Sequence, residues 1–91
     1  MIKSLKITIK GRVQGVFFRE STKAVANQMG IKGIIKNQSD GSVYAEVEGD
    51  ELFMQDFIDW CKYGPDDARV DDVTIEESEL KNYRNFEVLK K

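Results

Sequence analysis

Leu5-Lys6-Ile7-Thr8-Ile9-Lys10-Gly11-Arg12-Val13-Gln14-Gly15-Val16-Phe17-Phe18-Arg19 changes its periodicity part-way along. Up to Lys10, apolar and polar residues alternate. That places Leu5, Ile7 and Ile9 on one face of a strand over about residues 3–10. Gly11 to Gly15 break the pattern. From Phe18 onward, Phe18, Thr22, Val25, Ala26 and Met29 recur at helical spacing, and Gly30 stops them. The stretch therefore reads as a strand, a glycine-bounded loop and the start of a helix.

Working outward, Ile31, Gly33 and Ile35 alternate with Lys32 and Lys36 in a second strand, although Ile34 spoils its polar face. Asn37-Gln38-Ser39-Asp40-Gly41 is a turn, with Asp-Gly as its local signal. Val43, Ala45 and Val47 alternate with Tyr44, Glu46 and Glu48, so the second and third strands form a hairpin. Asp50 suits a helix N-cap. Met54, Phe57, Ile58 and Cys61 make an apolar stripe after it, widened by Phe53 and Trp60. All three aromatics of that stripe are expected in the core. Gly64-Pro65 ends this helix. Val73 and Ile75 mark a fourth strand, and Phe86 and Val88 a short fifth. The order is β-α-β-β-α-β with a short extra strand. It predicts an α+β, ferredoxin-like domain over residues 1–91, with two helices on one face of a mainly antiparallel sheet. That arrangement hosts many functions and decides none by itself.

Composition removes several chemistries. The chain of 91 residues has no histidine, so Ser-His-Asp and Cys-His catalysis are excluded, as are the commonest zinc ligands. Its single cysteine, Cys61, permits no internal disulfide and reads as a buried small hydrophobe. A net charge of -2 argues against nucleic acid, whose binders usually carry a basic excess. No apolar run approaches the ~20 residues of a membrane span, and the lysines within the first strand do not resemble a secretory signal. The expectation is a cytoplasmic protein. Small size and no evident apolar surface stripe favour a monomer.

What remains is anion chemistry. A strand-to-helix junction presents backbone N–H groups that no helical carbonyl satisfies, and the helix dipole adds partial positive charge. Glycines at 11 and 15 let a ligand approach the backbone. Arg19 in the first helical turn offers a planar fork matched to phosphate oxygens. The loop is not a Walker motif, since its terminal Gly-Lys-Ser/Thr is absent. Local pattern alone also allows a plain connecting loop and a solvated arginine.

Gly11-Arg12-Val13-Gln14-Gly15-Val16-Phe17-Phe18-Arg19 resembles the acylphosphatase signature Gly-x-Val-Gln-Gly-Val-x-Phe-Arg at every fixed position. Gly33-Ile34-Ile35-Lys36-Asn37 followed by Asp40-Gly41 is similar to the family's Gly-Trp-Val-Arg-Asn and Asp-Gly turn. Gly64-Pro65-Asp66 with Ala68-Arg69-Val70 looks like its Gly-Pro-Pro and Ala-Arg-Val, and Tyr83 and Phe86 fit a late Tyr-x-x-Phe. The resemblance implies hydrolysis of the carboxyl-phosphate bond of acyl phosphates to carboxylate and inorganic phosphate, without metal or other cofactor. It implies that the phosphate is held by Arg19 and by the amides of Gln14, Gly15, Val16, Phe17, Phe18 and Arg19. It also implies that Asn37 holds the attacking water. Arg19 has a case of its own in the anion argument. Asn37 taken alone reads as a turn residue, and its role comes from the resemblance. Ile34 and Lys36 stand where the family often has Trp and Arg, and Asp67 where a glycine is frequent. These departures bear on packing or acyl preference.

Two other readings stay open. Acylphosphatase-like domains occur inside larger carbamoyl-transfer maturation proteins, so a catalytically silent phosphate-binding accessory domain is one. A chain ending with the domain favours a free-standing enzyme instead. The other is an RNA-binding module of the same strand-helix order, which would need stacking aromatics on the open sheet face. Tyr44 is the one obvious candidate there. Arg12 reads as a solvated residue at the loop mouth and Arg69 as an ion-pair partner. Asp71, Asp72, Glu76, Glu77 and Glu79 read as a solvated strand edge.

Overall fold

The computed structural model describes residues 1–90. Five strands and two helices follow in the order β1 (Ile2–Arg12), α1 (Phe18–Met29), β2 (Lys32–Asn37), β3 (Val43–Asp50), α2 (Glu51–Tyr63), β4 (Arg69–Glu77) and β5 (Phe86–Val88). They form one mixed sheet in the order β4-β1-β3-β2-β5. All neighbours are antiparallel except β2 and β5, which run parallel. The ferredoxin-like α+β class read from the alternation is the observed one, with both helices packed on the sheet.

Period-two burial explains the core. Leu5, Ile7 and Ile9 of β1 and Val43, Ala45 and Val47 of β3 are buried, and they meet Phe18 and Ala26 of α1 and Met54, Phe57 and Cys61 of α2. Phe18 is 1% exposed, and its ring lies 5.7 Å from that of Trp60, tilted at 55°. A tilted aromatic pair of this kind ties the two helices together. Burial pushes the Cys61 thiol up to about 12, so it stays protonated, and it is a packing residue.

Asp50 caps α2 as its sequence suggests, its carboxylate accepting from the Leu52 amide at 3.0 Å. Phe53 corrects the expectation for this helix. It is 48% exposed, whereas Phe57 is fully buried and Trp60 packs on the core edge. Helical spacing sets the direction of an apolar stripe, but the width of the sheet beneath decides how far round it is covered. Phe53 lies with Ile2 and Leu80 at the end of the sheet opposite the glycine loop, an exposed apolar cluster that the sequence did not reveal. Arg69 pairs with Asp71 at 3.1 Å in an exposed setting, and the acidic residues of β4 lie on the sheet's edge strand.

The other face of the sheet is partly covered by residues 78–85. Glu48 faces away from the helices, yet it is only 6% exposed, because its carboxylate accepts the amides of Lys81 and Tyr83. Glu46 accepts from Tyr44 Oη at 2.8 Å, from Tyr83 Oη at 2.9 Å and from the Lys81 ammonium. Burial opposes ionisation of Glu46, but these three donors outweigh it and hold the carboxyl down to about 2. Burial first and then the Glu46 carboxylate push both tyrosines up to about 12. This clamp holds the segment that delivers β5 to β2.

Candidate active site

The junction between β1 and α1 has an irregular backbone. Gly15 and Phe17 have φ of 74° and 61°, both left-handed, with Val16 between them outside that region. Left-handed Phe17 is followed by the right-handed first residue of α1, Phe18, and such a pair turns its successive amides to one side, the arrangement that makes a backbone anion nest. Phe17 is also the residue immediately before α1, with ψ of 26° and no side-chain cap on the helix. Among the described residues the first amides of α1 thus have no side-chain cap, and the helix dipole points its positive end at the same place.

A left-handed conformation at a bulky residue costs about 1 kcal/mol. The surroundings enforce it. Val16 and Phe18 on either side are both buried in the core. Gln14 donates its side-chain amide to the carbonyls of Gln38 at 2.7 Å and Ser42 at 2.9 Å. Those carbonyls belong to the β2–β3 turn, so Gln14 braces the loop against the turn that follows Asn37.

A cavity of about 220 Å³ opens at this junction, lined by Val13, Gly15, Phe17, Phe18, Arg19, Glu20 and Asn37. It brings Arg19 and Asn37 together from segments that are distant in sequence. Arg19 Nη1 donates to the Leu89 carbonyl at 2.8 Å. One of its five N–H donors is thereby used for aim, and among the described residues the others have no partner. Asn37 follows Gly33 and Ile35 on the helix-facing side of β2, which is why it reaches the loop. Its Oδ1 is buried, and among the described residues it has no hydrogen-bond partner.

The expected site residues fall into two groups. Gly15, Phe17, Phe18, Arg19 and Asn37 line the cavity, whereas Gln14 and Val16 flank it. Gln14 turns its side chain to the hairpin and Val16 turns its own into the core. Two further participants had no sequence signal: the Leu89 carbonyl that aims Arg19, and Glu20 at the cavity wall. Among the described residues, no group of three or more His, Cys, Asp and Glu is placed to hold a metal ion.

An anion nest, a forked cation and a side-chain amide around one cavity are what phosphate-ester or anhydride chemistry needs. The family model for acylphosphatase matches residues 5–88. The chain belongs to the acylphosphatase family. A bacterial acylphosphatase from Ligilactobacillus salivarius is 46% identical over 88 residues, covering 96% of this chain and 98% of that protein. An acylphosphatase structure from Coxiella burnetii superposes with a TM-score of 0.93 at 34% identity, covering 97% of this chain and 93% of the other. Full-length HypF in its phosphate- and nucleotide-bound form contains a similar unit. The TM-score is 0.91 at 36% identity, over 98% of this chain and 12% of that one. Acylphosphatases hydrolyse acyl phosphates, and family membership gives this chain that activity.

Proposed function

We propose that this acylphosphatase holds the phosphoryl group of an acyl phosphate in the Gln14–Arg19 loop and attacks it with a water held by Asn37. The single observation that carries the reading is that Arg19 and Asn37, distant in sequence, line one cavity beside the glycine loop. The guanidinium and the loop amides neutralise the equatorial phosphoryl oxygens, whose charge is spread in the transition state. The Asn37 side-chain amide hydrogen-bonds the water and aims its oxygen at phosphorus, in line with the acyl oxygen. The new P–O bond forms as the bond to the acyl oxygen breaks. The carboxylate leaves with that electron pair, and the water proton passes to a phosphate oxygen. A carboxylate is a good leaving group, so positioning and charge neutralisation suffice, and the reading assigns no role to a metal or cofactor.

We further infer a single catalytic domain acting as a cytoplasmic monomer on small acyl phosphates, without nucleic-acid or membrane partners. No helix among the described residues is long and apolar enough to cross a membrane. The RNA-binding alternative is disfavoured because Tyr44 is already tied to Glu46, with residues 78–85 folded over the neighbouring face.

The test is hydrolysis of acetyl and benzoyl phosphate by the purified protein without added metal. Arg19→Ala and Asn37→Ala are each expected to lose at least ~10²-fold in rate, as when one transition-state donor is removed. Inhibition by inorganic phosphate should weaken in Arg19→Ala and largely survive in Asn37→Ala. Equal loss of phosphate inhibition in both variants would contradict this division of roles.

A further inference from the structure

We propose that Phe17 is the acyl-group platform of this site, so that the enzyme prefers acyl phosphates with a flat, apolar acyl group. The inference rests on the placement of phosphate in the Gln14–Arg19 loop. In-line attack fixes where the acyl group goes, since its oxygen must lie on the side of phosphorus opposite the water held by Asn37. The acyl group then projects from the cavity toward its rim. Among the residues lining that cavity, Val13 and Phe18 are buried in the core, and Gly15, Arg19, Glu20 and Asn37 offer little apolar surface. Phe17 is the exception, an aromatic ring 75% exposed at the mouth.

The fold gives no reason for that ring. Its backbone is left-handed, a region that bulky residues avoid and that Asn or Gly occupies readily. Its exposure means that little apolar burial offsets the strain. A strained, solvent-facing aromatic beside a phosphate cavity is accounted for by what it touches in the complex. Ring-on-ring contact with a benzoyl group, or packing against a flat acyl chain, supplies that contact.

The test compares kcat/KM for benzoyl and acetyl phosphate in the wild type, in Phe17→Asn and in Phe17→Trp. Acetyl phosphate is the internal reference, since its methyl group reaches the ring least. In Phe17→Asn the benzoyl-to-acetyl ratio should fall about two- to tenfold, the range of an aromatic pair. The fall should appear mainly in KM, and Tm should rise by a few degrees as the strain is released. In Phe17→Trp the ratio should hold or rise. An unchanged ratio in Phe17→Asn, with acetyl phosphate still hydrolysed, overturns the platform while leaving the phosphate site standing. Failure of the wild type to hydrolyse either substrate, or to be inhibited by phosphate, overturns the site reading and the platform with it.

Discussion

Removing the Gln14 brace tests whether the phosphate loop and Asn37 form one rigid unit. Gln14→Ala deletes two hydrogen bonds, at 2.7 Å to the Gln38 carbonyl and 2.9 Å to the Ser42 carbonyl. Each acceptor keeps another donor. The Gly41 amide reaches the Gln38 carbonyl at 3.1 Å, and the Gln38 amide reaches the Ser42 carbonyl at 2.8 Å. No carbonyl is therefore orphaned, and the loss is two net hydrogen bonds, about 2 kcal/mol. For a domain of this size that lowers Tm by roughly 10 °C. Catalysis should suffer more than the stability loss alone would suggest. The brace joins the loop that holds phosphorus to the turn that follows Asn37, and a misplacement near 1 Å costs ~10²-fold. Urea unfolding, steady-state hydrolysis of acetyl phosphate and inhibition by phosphate measure the three effects. We expect kcat to fall ten- to a hundredfold, with a smaller change in phosphate inhibition, because the amides that hold phosphate stay in place. Gln14→Glu should be worse than Gln14→Ala, since a carboxylate facing two carbonyls donates nothing and is repelled. If Gln14→Ala unfolds within about 0.5 kcal/mol of the wild type, or if the glutamate variant is the more stable of the two, the brace is not what holds the loop.

Two further outcomes follow from the fold around the site. Glu46 is held at about 2 against a usual 4.5, so its clamp on Tyr44, Tyr83 and Lys81 is whole above about pH 4.5 and is lost as pH falls toward 2. Glu46→Gln should flatten the drop of Tm over that window, and an unchanged acid limb would refute the assignment. A Cβ at Gly33 would lie 1.8 Å from the Glu46 carbonyl at a φ of 150°. Gly33→Ala should thus lose about 3 kcal/mol or more through overpacking and strain, read as a lowered urea midpoint, and a near-neutral result would show that β2 shifts away from β3 at little cost.

How much of this was legible in the sequence depends on where each residue's partner comes from. Leu5, Ile7 and Ile9 announce β1 because burial on one face is itself a periodic pattern, and Asp50 announces α2 because its acceptor serves an amide two residues on. Arg19 announces anion binding because its chemistry travels with its residue type. The polar face of β3 misled for the opposite reason. Glu48 alternates like a solvent-facing residue, yet its partners are amides of Lys81 and Tyr83, from a segment with no periodicity of its own. The aim of Arg19 is hidden in the same way, since a carbonyl at Leu89 has no side-chain signature and lies 70 residues away. Phe17 is the sharpest case. In the family motif it occupies a variable position, and the sequence offers only its amide as part of the loop. Its ring acquires meaning from two structural facts together, a left-handed backbone that a smaller residue would adopt more readily and an exposed position at the cavity mouth. A fixed motif therefore shows what the reaction needs from every member of a family, while acyl preference has to be sought at positions the motif leaves open. Phe17 is such a position in the wall of this cavity.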